Sequence, residues 1–485
     1  MAYNTKKYEA VIGLEVHAQL LTNSKAYSSD INEYGSEPNS NVSEISLGFP
    51  GTLPKVNNKV LQYAIKLGLA LDCKITSENH YDRKNYFYAD LPKGYQITQD
   101  RTPICQGGKI SINVDGKKKD IRLTRIHMEE DSGKSIHDQD PYNTLIDLNR
   151  AGVPLLEIVT EPDLRSSQEA YEYLTEIRKL VRYLEICDGN MEEGSLRCDA
   201  NISVRPRGAK EYGRRVEVKN MNSIRNVQRA IEFEIERHID LMEQGVDLAR
   251  ETRSYDAVSN TTFSMRAKEM DNDYRFFPEP DLLPVMVSSE DIAEMKEEMP
   301  PLPSELFDKY TKEYGLSDYD AGVIVDTKDV ALFYEEILAH TKEYKAAANW
   351  LTGDIKSYLN KNGLEIHEFH VPATSIAEMI EMISDNKLSY SVAAQKLFPL
   401  LIQDPKQSAE HLAAHFNLLQ DSDEGNIEAF IDEALTKFPD KVLEYQSGKK
   451  GLIGLFMGEV MKMSKGKADP KKANQLLRNK LENGA

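Results

Sequence analysis

From Ile12 to Leu20 the chain reads Ile-Gly-Leu-Glu-Val-His-Ala-Gln-Leu, with an apolar side chain at every even position and Glu15, His17 and Gln19 at odd ones. A period of two belongs to a strand, whose successive side chains leave opposite faces. One face of this strand therefore meets a core, while the other presents a carboxylate, an imidazole and an amide together. Leu196 to Val204 repeats the pattern, with Leu196, Cys198, Ala200, Ile202 and Val204 inward and Arg197, Asp199, Asn201, Ser203 and Arg205 outward. Arg215-Val216-Glu217-Val218-Lys219 does so again. Strands of this kind require a sheet covered on one side and open on the other, which is the habit of antiparallel sheets.

Any one of these strands also fits the wet face of an ordinary sheet. Taken together they do more. A Glu/His pair, an Asp/Asn pair and several Arg and Lys recur on one face, a composition suited to a divalent metal and a polyanionic ligand. Glu157 lies within the apolar run Val153 to Val159, where an unpaired carboxylate carries a heavy desolvation cost. A metal, an arginine or a structural salt bridge would each compensate it. The run His127-Met128-Glu129-Glu130-Asp131-Ser132-Gly133-Lys134-Ser135 sets three acids beside Gly-Lys-Ser. It is no phosphate-binding Walker loop, because that motif needs glycine where Met128 stands. No dinucleotide fingerprint or nucleophile elbow appears, so a nucleotide would be held by a sheet surface and metal. His127 and His137 are candidate ligands or surface hydrogen-bonding groups. Tyr81, Tyr86, Phe87, Tyr88 and Tyr95, interleaved with Arg83, Lys84 and Lys93, divide between core packing and stacking against a base.

Helical spacing is convincing at Ser167 to Cys187, where Ser166 and Glu169 have capping-box spacing, and at Ser223 to Gly245. Strands with segregated helices predict an α+β domain with a largely antiparallel sheet over residues 1–296. Seven acids and one lysine between Glu279 and Pro300 lead into Pro300-Pro301-Leu302-Pro303, a break in both helix and sheet. Beyond it the pattern is helical, at Leu306 to Tyr314, Ala331 to Lys345 and Ile376 to Ile383. A softer break near Gln403-Asp404-Pro405 predicts an all-α domain over 297–407 and a small all-α tail over 408–485. Three domains suit 485 residues.

Sixty basic against 79 acidic residues give a net charge of −19, which argues against coating nucleic acid through bulk charge. From Lys449 to Ala485 the balance reverses, with nine Lys/Arg against three Asp/Glu. No apolar run approaches the roughly 18 residues of a membrane span, and the N-terminus does not read as a signal peptide. Cys73, Cys105, Cys187 and Cys198 are widely spaced and read as reduced thiols of a cytoplasmic protein. Two readings stand on these residues alone: an ATP- and Mg²⁺-dependent amide ligase acting on a small carboxylate, and a noncatalytic RNA-binding or assembly subunit.

The segments GLEVHAQL (13–20), KNYFYADLPKGYQITQ (84–99), RIHMEEDSGKS (125–135), DLNRAGVPLLEIVTEPD (147–163), MEEGSLRCDANISVRP (191–206) and DYRFFPEPDLLP (273–284) resemble the B subunits of aspartyl/glutamyl-tRNA(Asn/Gln) amidotransferases, as does GLIGLFMGEVMKMSKGKADP (451–470). The resemblance implies ATP-dependent transamidation of glutamate misacylated on tRNA(Gln), or aspartate on tRNA(Asn), through a phosphorylated acyl intermediate. It also implies a cradle-shaped catalytic domain similar to glutamine synthetase, an amidase-type A subunit supplying ammonia, and a small C subunit completing a heterotrimer. His17, Glu130 and Glu157 resemble the family's Mg²⁺ ligands, with Glu15 beside them. Arg197, Asn201 and Lys219 are expected to steady phosphates or the aminoacyl group. Lys84 and Lys93 are expected on the ammonia route, and Lys462, Lys465 and Lys467 on the tRNA. Many members bind zinc through four cysteines; the matching positions here are Ser28, Asp30, Ser43 and Ser46. No zinc is therefore expected, and the loop is expected to be held by packing around Phe49, Pro50 and Leu53. Ala89 replaces the usual proline of a tyrosine-proline-aspartate step, which loosens a turn away from the chemistry.

Overall fold

The computed structural model of the chain describes residues 7–265, 274–420, 424–464 and 468–483. It divides into two compact units, Met1–Leu302 and Pro303–Ala485. The first is mixed α/β around a ten-stranded sheet. Seven of its strands run in succession: β1 (Tyr8–Gln19), β2 (Lys117–Glu130), β3 (Pro154–Thr160), β4 (Leu196–Pro206), β5 (Val216–Lys219), β6 (Glu251–Asp256) and β7 (Thr261–Ser264). Their spatial order is β7-β6-β5-β4-β1-β3-β2, continued by the short strands Cys105–Gln106 and Lys74–Ile75, while Lys109–Val114 pairs β2 from a branch. All pairings are antiparallel except that of β5 with β6.

The alternation read in β1 and β4 is reproduced in their burial. Ile12, Leu14, Val16 and Ala18 are buried with Cys198, Ala200 and Ile202, while Glu15, His17, Asp199 and Asn201 lie half-exposed on the other face. The apolar face is covered by α1 (Asn58–Ala70), α2 (Ser167–Tyr183) and α3 (Ile224–Glu243). Ser166 Oγ caps α2 by accepting from Glu169 N (3.1 Å). The reciprocal half of the box is missing, because the Glu169 carboxylate accepts instead from Arg165 N (2.7 Å) and Lys119 Nζ (2.7 Å). The helix stops at Tyr183, short of the expected Cys187, where Glu185 adopts a left-handed φ of 56°. Ser223 caps α3 through Asn226 N (3.1 Å), and Val227, Ala230, Ile231, Ile235 and Ile239 form its buried stripe.

The loop carrying Ser28, Asp30, Ser43 and Ser46 is not held as expected. Phe49, Pro50 and Leu53 are exposed, because the loop closes on a polar knot. Asp30 Oδ2 accepts from Ser43 N (2.9 Å), Ser43 Oγ (3.1 Å) and Ser46 Oγ, and fully buried Lys25 brings its ammonium to 3.9 Å.

The second unit is helical. The expected stretch Ala331 to Lys345 is two helices, Lys328–Leu338 and Tyr344–Trp350, interrupted around His340. Helices Glu424–Lys437, Pro439–Gln446, Ile453–Met463 and Pro470–Asn483 surround a separate core containing Ile427, Ile431, Tyr445, Phe456 and Leu477. Among the described residues, no helix is long and apolar enough to cross a membrane.

Candidate active site

The strand register lays a line of ionisable groups across the open face. His17 is opposite Arg197 on β4 and Glu157 on β3, and Glu157 is opposite His127 on β2. Glu157 Oε2 lies 3.3 Å from the Nε2 atoms of both His17 and His127, and His127 Nε2 lies 3.5 Å from Glu129 Oε2. Burial opposes charge on Glu157, but the His127 charge and hydrogen bonds from both imidazoles hold its carboxyl well below the usual range. Burial likewise lowers the His127 pKa, yet the Glu157 charge and hydrogen bonds to Glu129 and Glu157 push it up to about 9. His127, Glu129 and Glu157 thus offer three ligand atoms within 4.8 Å of one another.

Cations border this row. Lys84 Nζ donates to Glu129 Oε1 (3.3 Å) and lies 4.9 Å from the Tyr274 ring centre. Lys84 stands on the small strand Asp82–Asn85, which pairs with Tyr95–Thr98 and Arg275–Pro278. Arg197 Nη2 donates to Asp131 Oδ2 (2.6 Å), as does Gln19 Nε2 (2.7 Å). One step along the strands, Glu15, Asp199 and Glu217 form a second group with ligand atoms within 4.8 Å. Asn201 Nδ2 donates to Glu15 Oε1 (2.8 Å), and Lys219 Nζ pairs with Asp199 and with Glu217 Oε1 (2.9 Å). Burial first, and then the charges of Glu157 and Glu217, raise the Glu15 pKa. Alternating carboxylates and fixed cations on a half-open sheet suit metal-bridged polyphosphate chemistry.

The GatB/GatE catalytic domain family matches residues 10–293, and the GatB domain family matches residues 332–481. The chain belongs to the GatB family. The B subunit of the aspartyl/glutamyl-tRNA(Asn/Gln) amidotransferase of Alkalilimnicola ehrlichii is 49% identical over 478 residues, covering 98% of this chain and 100% of its own. The proteins of the same name from Halorhodospira halophila (98% and 99% covered) and Rippkaea orientalis (98% of each) are both 48% identical.

Within this GatB-family site, the structure brings together Glu15, His17, Glu157, Arg197, Asn201, Lys219 and Lys84 on one face. It does not bring Glu130 there. Ile126 and Met128 are buried in the core, so the parity of β2 sends His127 and Glu129 to the open face and Glu130 to the other side. There the Glu130 carboxylate accepts from Ile97 N (2.8 Å) and pairs with Lys93. Lys93 and Glu130 line a separate cavity of about 90 Å³ with Tyr27, Ser46 and Gly152. His137 is an exposed loop group, its Nδ1 3.1 Å from Thr144 Oγ1. Tyr81 is a core ring, whereas Phe87 and Tyr88 are exposed. Lys462 is exposed on Ile453–Met463, and Lys465 and Lys467 lie outside the described residues. Sequence reasoning placed Asp199 and Glu217 on the open face without naming them as ligands, and it did not single out Glu129 or Asp131 as site groups. Strand parity, anchored on Ile126 and Met128, would have favoured Glu129.

Proposed function

We propose that the chain phosphorylates the side-chain carboxylate of glutamate on tRNA(Gln), aspartate on tRNA(Asn), or both, and passes the acyl phosphate to ammonia. The observation that carries this reading is the Arg197–His17–Glu157–His127 row, in which a buried carboxylate is held ionised between two imidazoles on an open sheet. Such a site favours positive charge at its centre and anions at its rim. The nitrogen and two carboxylates offered by His127, Glu129 and Glu157 fit a divalent cation such as Mg²⁺, with His17 and Glu15 adjoining. Bound there, the ion would supply positive charge that lessens repulsion between ATP and the attacking carboxylate. Glu129 takes the place assigned by resemblance to Glu130.

The chain's own residues orient the reactants. Arg197 and Lys219 face the site from β4 and β5 and steady phosphate oxygens, while Asn201 fixes the Glu15 carboxylate. The substrate carboxylate oxygen attacks the γ-phosphorus and ADP leaves. Ammonia then attacks the acyl carbon, the carbon–oxygen bond to phosphate breaks, and the departing phosphate leaves with that oxygen and with the proton the nitrogen gives up. The two steps are those of glutamine synthetase, whose polar-faced sheet this one resembles in use. The names of the relatives support an amidotransferase assembly, and we assign the chain an amidase-type A subunit and a small C subunit as cytoplasmic partners. Lys84, above Glu129, and Lys93, in its own small cavity, fit opposite ends of an ammonia route. Residues 408–485, with Lys462, Lys465 and Lys467, serve as the tRNA-docking domain, following an intermediate domain at 297–407.

In the assembled complex, Glu157→Gln is expected to abolish ATP-dependent transamidation of misacylated tRNA while glutaminase activity persists. Transamidation at the wild-type rate would refute the assignment. ATP turnover on free glutamate without tRNA would favour the small-carboxylate ligase, and no turnover under any condition would favour a docking role.

A further inference from the structure

On its helix side, β6 rests on charge where the neighbouring strands rest on apolar groups. Arg253 lies opposite Val218, which is fully buried, so its side chain faces α3 and away from the candidate site. There the fully buried Glu234 of α3 brings Oε1 to 3.1 Å from Arg253 Nε and accepts from Thr262 Oγ1 of β7. Arg253 also donates to Glu251 Oε1 (2.8 Å) and Thr262 O (2.8 Å), and Arg237 donates to Glu234 Oε2 (2.8 Å). Breaking any of these pairs would leave charge buried without its partner, so β6 is fastened to both α3 and β7.

Toward the site the same strand turns Thr252. The parallel pairing sets it opposite Glu217, and its Oγ1 donates to Glu217 Oε2 (3.1 Å). The other oxygen, Oε1, lies 2.9 Å from Lys219 Nζ, which also pairs with Asp199. Thr252 therefore occupies one carboxylate oxygen and leaves the second for the lysine. The backbone of Lys219 is already fixed. β5 ends there, Asn220 follows with a left-handed φ of 64°, and the Asn220 side chain donates to Ser254 Oγ of β6 (2.9 Å). The ammonium, at the end of a flexible four-carbon stem, still has to be placed.

We propose that Thr252 is a positioning residue: by holding Glu217 it aims the Lys219 ammonium at the phosphate oxygens. The inference rests on the proposed role of Lys219 and adds the residue that orients it. Without the hydroxyl, the Glu217 carboxylate turns about its last bond and the lysine loses a fixed partner. Because Thr252 acts through that pair, its removal loosens the hold on ATP and leaves the hold on the tRNA unchanged.

The test is steady-state transamidation by the assembled complex, with ATP and misacylated tRNA varied in turn. Thr252→Val keeps the shape and the strand preference of the side chain but removes its donor. It is expected to raise KM for ATP about tenfold and to leave KM for the tRNA within about twofold. Thr252→Ser, which keeps the hydroxyl, should stay within about threefold of wild type for both. Unchanged KM for ATP in Thr252→Val overturns the proposal. So does a fall confined to kcat, since loss of folded enzyme lowers kcat without moving either KM. Equilibrium binding of ATP with Mg²⁺ supplies the second arm. In a Lys219→Ala background Thr252→Val should add less than about twofold, because the two act in series, and a full tenfold there overturns the proposal. If Lys219→Ala alone binds ATP like wild type, the underlying phosphate role of Lys219 fails, an outcome distinct from failure of Thr252 to position it. Thr252→Ala decides the matter if Thr252→Val fails to fold.

Discussion

Asp30 gathers its loop onto a single carboxylate. It accepts two bonds from Ser43 and one from Ser46, whose Oγ also lies 3.2 Å from Ser28 Oγ. Fully buried Lys25 donates to Asn41 O (2.6 Å), and burial lowers its pKa to about 8 although Asp30 and Glu130 oppose the shift. Removing Asp30 takes away that ammonium's nearest counter-charge and the shared acceptor of three donors. Asp30→Ala is expected to destabilise the first unit by about 3 kcal/mol in denaturant unfolding, and Asp30→Asn by less. Glu234 supplies a pH-dependent counterpart on α3. Burial would raise its pKa, but His238, Arg237 and Thr262 hydrogen bonds lower it to about 2. Because the folded value is depressed, its contribution is complete above the unfolded value of about 4.5 and is lost as pH falls toward 2. Acid unfolding monitored by circular dichroism should therefore show a shallower limb between those values in Glu234→Gln. The contribution lost is on the order of 3 kcal/mol. The candidate site was legible as a type of surface more than as a ligand set. Residue types along β1 and β4 announced a charged face, but choosing between adjacent Glu129 and Glu130 required knowing which way β2 was turned.

At the scale of elements, the strands were legible because a two-residue period leaves few alternatives, and β1, β4 and β5 appear where alternation placed them. Helix ends were less so. The apolar rhythm of α2 continues to Cys187, but the backbone reverses at Glu185. The small strands Asp82–Asn85 and Arg275–Pro278 carry no alternation of their own; they are defined by pairing across nearly two hundred residues. Ile231 lies in the buried stripe of α3, and Ser223 stands outside it as the cap. Ile231→Ala should cost about 3 kcal/mol, whereas Ser223→Ala, which removes only the cap, should cost about 1 kcal/mol. Chemical denaturation of the two variants checks the ratio.

For the molecule as a whole, charge is divided by sign. The body is acidic and the last 37 residues carry nine basic against three acidic groups. An acidic body disfavours indiscriminate RNA contact and leaves docking to a local patch. Lys462→Ala is expected to weaken tRNA binding about equally for cognate and noncognate species, and to reduce the slope of log affinity against log salt by about one. Filter-binding titrations over a range of salt concentrations would measure both. β1 is made first, yet its neighbours in the sheet are β3 and β4, the second of which ends at Pro206. At about 5–20 residues per second, the innermost strand waits some 7–28 seconds for β3 to be completed at Thr160 and some 10–40 seconds for β4. During that interval its alternating pattern can pair with any strand it meets. β1 is therefore expected to need shielding during translation, and nascent chains that stop short of Pro206 should be the ones that aggregate.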